Sequence, residues 1–369
     1  MQQIFADLHI HIGRTQTGKP VKITGSKSLT IQTILEEASL RKGLGMIGVI
    51  DCHVPEVLAE LKQLIRQGKA SMLPGGGLRY EKMTLILGTE MEFYDEDCQG
   101  PVHVLCFLPT IEEMSFFSSW MSKYQKNITL SSQRSYAPIR QCQKIVKELG
   151  GLFIPAHIFT PHKSVYGRGV KSSITEILNP DLIDAVELGL SSDTAMADQL
   201  PELRRYTFLT NSDAHSVSKI AREYQLMSLE EVDFTSLAYA LRGIGEGGIL
   251  GNYGLSPRLG KYYSEVSRRI EELEILQKKE ANNSVWAEER HRPPYTHQIP
   301  LEFIPKLGPK GFKALLHAYG TEMNIIHHCT FDELTKYVRD EVAHMILAAR
   351  KGSLAIHSGG AGLYGKIGK

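Results

Sequence analysis

Two histidines stand one residue apart near the start of the chain. In "FADLHIHIG", His9 and His11 follow Asp7 within a short apolar run. The arrangement recurs along the sequence. Asp51 and His53 lie in "GVIDCHVP", Glu90 in "LGTEMEF", His103 in "PVHVLCF", His157 in "FIPAHIF", and Asp213 and His215 in "NSDAHS". In an extended chain, residues two apart project to the same side, so each pair can aim both side chains at one centre. Neutral imidazole binds zinc, manganese and iron, and carboxylates add negative charge and can bridge two ions. One ion needs three or four protein ligands, so six histidines and three carboxylates suffice for two or three divalent ions (Zn, Mn, Fe or Mg). Clustered ions lower the pKa of a bound water and stabilise charge on a phosphoryl group. The pattern points to hydrolysis of phosphate esters rather than redox chemistry. Asp51, Glu90 and Asp213 are the carboxylates expected to take part in catalysis.

Any one of the 14 histidines, taken alone, is ordinarily a packed or surface residue. What sets these positions apart is the repetition of close pairs on apolar runs far apart in sequence. Asp7 is read as a group that orients a ligand histidine. His162, His291, His297, His317, His327, His328, His344 and His357 are read as structural or surface residues. No competing active-site signal is present: there is no GxSxG and no GxxxxGK[ST], and "LPGGG" (73–77) and "GGAG" (359–362) lack a strand–turn–helix setting.

The elements that must position these residues are legible as alternation. Strand-like runs cover 3–10, 46–50, 84–90, 102–108, 151–157, 184–190 and 206–212. Amphipathic helical patterns cover 29–45, 55–69 and 137–151; the second opens on Pro55 and the third closes on Gly150 and Gly151. Strand–helix alternation predicts a mostly parallel sheet with covering helices, and about seven strands in ~250 residues favours a β/α barrel. Most candidate ligands fall at the C-terminal ends of the runs, the face on which such barrels place their active sites. His103, near the start of its run, is the exception.

The 369 residues suit one large and one smaller domain, and a net charge of +1 gives no global sign of a nucleic-acid binder, though a local basic surface remains open. Five cysteines without a CxxC argue against a disulfide framework and for a reducing compartment. The N-terminus does not read as a signal peptide, and no apolar stretch reaches the ~20 residues of a membrane span. A cytoplasmic protein is expected, nucleoid-associated if it acts on DNA. The domain reading is a barrel over 1–250, a charged connector over 251–291, and a compact helical domain over 292–369.

The set His9-x-His11, Asp51, His53, Glu90, His103, His157 and Asp213-x-His215 resembles the PHP (polymerase and histidinol phosphatase) metallo-phosphoesterases. That resemblance implies a distorted, seven-stranded β/α barrel over about residues 1–250, with those nine residues as metal ligands. "IPLEFIPKLGPKGFKALLHAYGTEMNII" (299–326) resembles a helix-hairpin-helix element, whose backbone N–H groups meet a DNA phosphate. Leu307, Gly308, Pro309 and Lys310 form the hairpin in this reading, with Lys306 where the first Gly usually stands. Lys306, Lys310 and Lys313 add phosphate contacts. The barrel together with "GKYY", "RPPY" and "GGAGLYGKI" is similar to the endonuclease Q family. Its members cut duplex DNA on the 5′ side of deaminated bases (uracil, hypoxanthine, xanthine) and at abasic sites. Arg134, Tyr166 and Arg168 are candidates for base or phosphate contact. One departure stands out: the four-cysteine zinc module expected between barrel and C-terminal unit is missing, and 261–292 contains no cysteine. Two other functions stay open from sequence: a PHP-type phosphatase of a small phosphate ester, and a DNA-binding protein with an inactive or structural metal site. The sequence does not fix the oligomeric state.

Overall fold

Each apolar run forms a strand. The computed structural model describes residues 1–280, 291–354, 356–357 and 366–367. The strands are β1 (Gln2–Ile10), β2 (Met46–Val49), β3 (Ser71–Met72), β4 (Leu78–Tyr80), β5 (Met83–Phe93), β6 (Val102–Leu108) and β7 (Arg134–Ser135). They continue with β8 (Leu152–Pro155), β9 (Ala185–Glu187), β10 (Thr207–Leu209), β11 (Tyr224–Leu229), β12 (Gly248–Gly254) and β13 (Tyr295–His297). The main sheet runs β13-β12-β11-β1-β2-β5-β4-β3, with β6 on β5 and β8 on β6.

The expected parallel arrangement holds only in part. β1, β2 and β5 are parallel, as are β9 and β10, but β6 is antiparallel to both β5 and β8. β11 is antiparallel to β1 and to β12. The reversal of β6 accounts for His103. It pairs with Glu92 near the end of β5, so the start of β6 lies at the same end of the sheet as its neighbours' ends. Single backbone bonds carry the sheet onward: Asp184 N to Phe153 O (3.1 Å) and Ile158 N to Glu187 O (2.9 Å) join β8 to β9. Ala214 N to His9 O and His11 N to Ala214 O (both 3.1 Å) return the segment after β10 to β1.

β2, β5, β6, β8 and β9 are buried on both faces, which explains why their sequences read as near-continuous apolar runs. Ile86, Leu105, Phe107, Leu152, Ile154, Ala185 and Leu209 pack in one cluster, while Leu85, Leu87, Val104, Cys106, Phe153, Val186 and Phe208 pack with the helices in another. In β1 the faces exchange. Ala6 and Leu8 belong to the first cluster but Ile10 and Ile12 to the second, and the β1–β2 register shifts between Asp7 and Ile10. Such an irregularity re-aims a strand, and here it turns His9 and His11 toward Glu90.

The predicted helices form at Ile31–Glu36, Pro55–Arg66 and Ile139–Glu148; the first continues as a π turn through Lys42. Gly43 follows at φ +82°, and a Cβ there would meet Thr321 at 2.5 Å. This close approach lets the C-terminal helices dock, and buried Lys42 reaches Glu322 at 2.9 Å across the same seam. Residue 250, the expected domain boundary, lies inside β12. The helix Tyr263–Glu280 does not stand apart as a solvated connector. Arg269 donates to the carbonyls of Tyr166 (3.0 Å) and Val170 (2.9 Å), which fastens the helix to the segment after β8. The rest of the connector, 281–290, and most of the Gly-rich tail lie outside the described residues.

A carboxyl group is buried where β12 and β13 meet β11. Glu223 accepts from Leu255 N at 2.9 Å, its other oxygen has no hydrogen-bond partner among the described residues, and burial pushes its pKa up to about 8. The native state therefore holds this proton more tightly than the unfolded chain. The corresponding stability is present below about pH 4.5 and is lost as pH rises toward 8. At about 1.4 kcal/mol per pKa unit the loss is on the order of 5 kcal/mol. Glu223→Gln removes the titration, so urea unfolding should show a smaller fall in stability between pH 5 and pH 8 for the variant than for the parent. Parallel pH profiles would show that Glu223 does not titrate this way.

Candidate metal centre

Six of the nine predicted ligands gather into two groups, His9–His11–Asp213 and Glu90–His103–His157, with the ligand atoms of each group within 4.8 Å of one another. Glu90 joins them. Its Oε1 lies 3.0 Å from His103 Nδ1, 3.2 Å from His157 Nε2 and 3.6 Å from His9 Nε2, while Oε2 lies 3.6 Å from His11 Nε2. Asp213 Oδ1 stands 3.4 Å from His9 Nε2 and 3.5 Å from His11 Nε2. His9 Nε2, His11 Nε2 and Asp213 Oδ1 are buried and have no hydrogen-bond partner among the described residues. Orphaned polar atoms are costly in an interior. Three of them converging beside a buried carboxylate fit a divalent cation.

The backbone is strained to bring the ligands in. His157 and Asp213 take φ of 30° and 45°, a region that residues with a side chain seldom adopt. Gly189 makes room for the first of these: at φ +70°, a Cβ on it would lie 2.5 Å from His157 Cβ.

The imidazoles are held from behind. Glu187, one percent exposed, lies 2.9 Å from His9 Nδ1 through Oε1 and accepts from His157 N through Oε2, also at 2.9 Å. Asn211 Nδ2 donates to the same Oε1 at 2.8 Å. A carboxylate on Nδ1 leaves Nε2 as the free nitrogen facing an ion. Burial disfavours the charged form of His9, but Glu187, Asp213 and Glu90 together outweigh it and raise its pKa to about 10. Burial likewise opposes ionisation of Glu90, yet the charges of His103 and Lys22 hold its carboxyl well below the usual range. Lys22, from the loop after β1, reaches Glu90 Oε2 at 3.2 Å and Ser132 Oγ at 2.5 Å.

Three predicted ligands fall outside the two groups. Asp51 is buried, and its Oδ1 has no hydrogen-bond partner among the described residues. Its Oδ2 lies 3.1 Å from His11 Nδ1 and accepts from Ile12 N at 2.7 Å, so it orients His11 as Glu187 orients His9. Burial opposes its charge, but His11 lowers its pKa to about 2. His53 Nδ1 lies 2.7 Å from Thr89 Oγ1, and burial lowers its pKa. His215 Nδ1 lies 3.0 Å from Asp213 O; burial and then His11 depress its pKa to about 4. Asp7 does not orient a ligand ring. It accepts from Ser212 N (3.1 Å) and Ala221 N (2.9 Å), bracing the turn that carries Asp213.

The predicted substrate contacts divide. Tyr166 is fully buried, donates its hydroxyl to Glu202 at 2.9 Å and stacks on Phe159, so it is not a contact residue. Arg134 and Arg168 are exposed. Lys306, Gly308, Lys310 and Lys313 cluster around the start of the helix Gly308–Tyr319, and Lys306 pairs with Glu341. Lys306 adopts φ +65°, the left-handed conformation for which a hairpin glycine is suited. The element before it is a single 3₁₀ turn, Leu301–Phe303, instead of the first helix of a hairpin pair. Sequence reasoning does not find Glu187, Lys22, Ser132, or Ser131, whose hydroxyl lies 3.2 Å from His11 Nδ1. Glu187 alone carries a signal, as a carboxylate inside the apolar run "DAVELGL", which opens on Asp184.

A cavity of about 200 Å³ opens beside the ligands, lined by His157, Glu187, Asn211, Asp213, Tyr262 and Tyr263 among others. Among the described residues, no helix is long and apolar enough to cross a membrane.

No family model matches the chain. It is 51% identical to the uncharacterized protein YqxK of Bacillus subtilis, over the full length of both. It is also 34% identical to the uncharacterized protein MJ0043 of Methanocaldococcus jannaschii, over 57% of this chain and 31% of that one. Among solved structures it is similar to the lesion-specific endonuclease PfuEndoQ from Pyrococcus furiosus. That match has a TM-score of 0.81 and 27% identity, covering 99% of this chain and 95% of the other. Endonuclease Q in complex with a 27-mer duplex carrying an abasic lesion at the active site gives a TM-score of 0.78 at 27% identity, covering 99% and 96%.

Proposed function

The chain belongs to the family of YqxK and is a PHP-domain metallo-phosphoesterase related to endonuclease Q, and from that premise we propose that it is a metal-dependent DNA repair endonuclease. In this reading it hydrolyses the phosphodiester on the 5′ side of a deaminated base or an abasic site. The observation that carries the reading is the pair of ligand groups joined at Glu90, in a chain similar over 99% of its length to a lesion-specific endonuclease.

His9, His11, Asp213 and Glu90 would hold one divalent ion, and Glu90, His103 and His157 a second. When bound, such ions supply Lewis-acid stabilisation of phosphoryl charge and a water of lowered pKa. The chain's own residues do the rest. Glu187 and Asp51 fix the tautomers of His9 and His11. Lys22 holds the second oxygen of Glu90 and places an ammonium beside the centre. Asp51, His53 and His215 form no third group of this kind among the described residues, so the proposal is for two ions. The cavity beside His157 and Asp213 takes the flipped nucleotide, whose extraction costs least where pairing is already weak. In the same proposal the barrel takes in β12 and so passes residue 250, the segment from there to 291 stands in place of the zinc module, and 292–369 bind duplex DNA. Lys306, Lys310, Lys313 and the N–H groups after Gly308 meet phosphates there, and Arg134 and Arg168 contact DNA beside the centre.

The test is incubation with manganese and duplexes carrying one uracil, one hypoxanthine, one abasic site or none. Cleavage just 5′ of the lesion, absent from the undamaged duplex and from Asp213→Ala, is the expected result. Hydrolysis of a generic phosphate monoester without duplex cleavage would replace this reading with a small-substrate phosphatase. Inactivity on both, with metal bound, would leave a DNA-binding protein.

A further inference from the structure

At the sheet edge next to the centre lies an arrangement that hydrolysis does not require. β7 pairs with the end of β5, setting Arg134 opposite Glu92. The guanidinium carbon of Arg134 lies 5.0 Å from the ring centre of Tyr94 and 5.2 Å from that of Tyr136, and Nη2 donates to Tyr94 O at 2.6 Å. Lys126 Nζ stands 5.8 Å from the ring centre of Tyr136. Tyr94 is 43% exposed and Tyr136 55%. Two large rings are thus held partly open to water with a planar cation between them. The site is close to the metal ligands: Glu92, two residues before Tyr94, lies 3.4 Å from His103 Nε2 and 2.7 Å from Lys163 Nζ.

Ring stacking recognises flat partners with little sequence preference, and cations beside it attract an anionic backbone. A nucleobase on a phosphate chain meets both conditions. Drawing one nucleotide out of a duplex also unstacks its neighbours, so a planar surface beside the centre offsets part of that cost. We propose that Tyr94, Arg134 and Tyr136 form a stacking platform for the nucleobase that flanks the one drawn into the centre. This rests on the nuclease reading and names residues that hold the unstacked neighbour.

The metal-loaded protein is bound to a duplex with an abasic site, a methylphosphonate at the scissile position to block cleavage, and 2-aminopurine beside the lesion. Unstacked 2-aminopurine fluoresces brightly and stacked 2-aminopurine is quenched. The parent complex should stay quenched. Tyr94→Ala with Tyr136→Ala should brighten severalfold and bind the duplex more weakly, by about 5- to 150-fold for each stacking ring removed. Tyr→Phe at both positions should retain the quench. Circular dichroism and metal content identify a variant that has failed to fold, and Tyr→Phe then carries the comparison against Tyr→Leu. Equal emission and equal affinity in parent and Ala variants, with lesion cleavage by the parent intact, would overturn the platform and leave the nuclease reading standing. A parent that neither binds nor cuts lesion duplexes would remove both.

Discussion

Glu90→Gln should lose both ions and at least about a thousandfold in turnover. Glu90 faces the ring nitrogens of both ligand groups, with distances of 3.0 to 3.6 Å to His9, His11, His103 and His157. Gln keeps the shape but removes the negative charge that each ion would share, and its amide nitrogen presents a donor where an acceptor is needed. Ions contribute several kcal/mol to phosphoryl transfer, and each 1.4 kcal/mol is about tenfold in rate. Elemental analysis of the purified variant is the primary measurement, with circular dichroism to establish folding. Metal content unchanged at two per chain would mean that Glu90 does not bridge. A fall to one per chain would place Glu90 in a single site.

Glu187→Gln should act differently. Glu187 touches no proposed ion; its carboxylate faces three donors, on His9, Asn211 and His157. A carboxylate offers only acceptors, whereas the Gln amide must turn its NH₂ toward one of these donors. His9 then loses its fixed tautomer, or the backbone at His157 loses its anchor. Removal of such an orienting partner typically costs 10–100-fold in metal affinity. Competition with a chelator should give that loss, and turnover should recover at high metal concentration. Failure to recover at any metal concentration would move Glu187 from a positioning role into the reaction itself. Unaltered affinity would remove it from the site.

These two residues mark how far the sequence can be read. Seven of the strands (β1, β2, β5, β6, β8, β9 and β10) are legible because apolar runs buried on both faces announce themselves whatever their direction; β11, β12 and the short β3, β4, β7 and β13 are not. Direction is not legible: nothing in "VHVLCFL" shows that β6 runs against β5, so His103 looks misplaced until the reversal puts it opposite Glu92. The exchange of faces in β1 is hidden as well. Continued alternation from Leu8 would carry His9 and His11 away from the side of Ala6 and Leu8, and only the register shift explains where they point. Ligand pairs stand out because chemistry restricts their types. Orienting groups escape because a lone Glu in a strand, or a Lys in a loop, has no restricted spacing. Tyr166 misleads for a related cause: its neighbours Gly167 and Arg168 look like a loop, while its ring is packed under the helix that carries Arg269.

The distribution of the ligands along the chain also sets an order of assembly. Glu90, His103 and His157 lie on or just past β5, β6 and β8, which are paired in succession. His9 and His11 must wait for Asp213. On a ribosome adding about 5–20 residues per second, residue 213 emerges roughly 3–11 s after residue 157 completes the second group. During that interval the nascent chain can assemble the second group but not the first. Completion of the first group therefore requires that synthesis has passed Asp213 and that β1 has met the segment after β10. A chain truncated before that point lacks the carboxylate of the first ligand group.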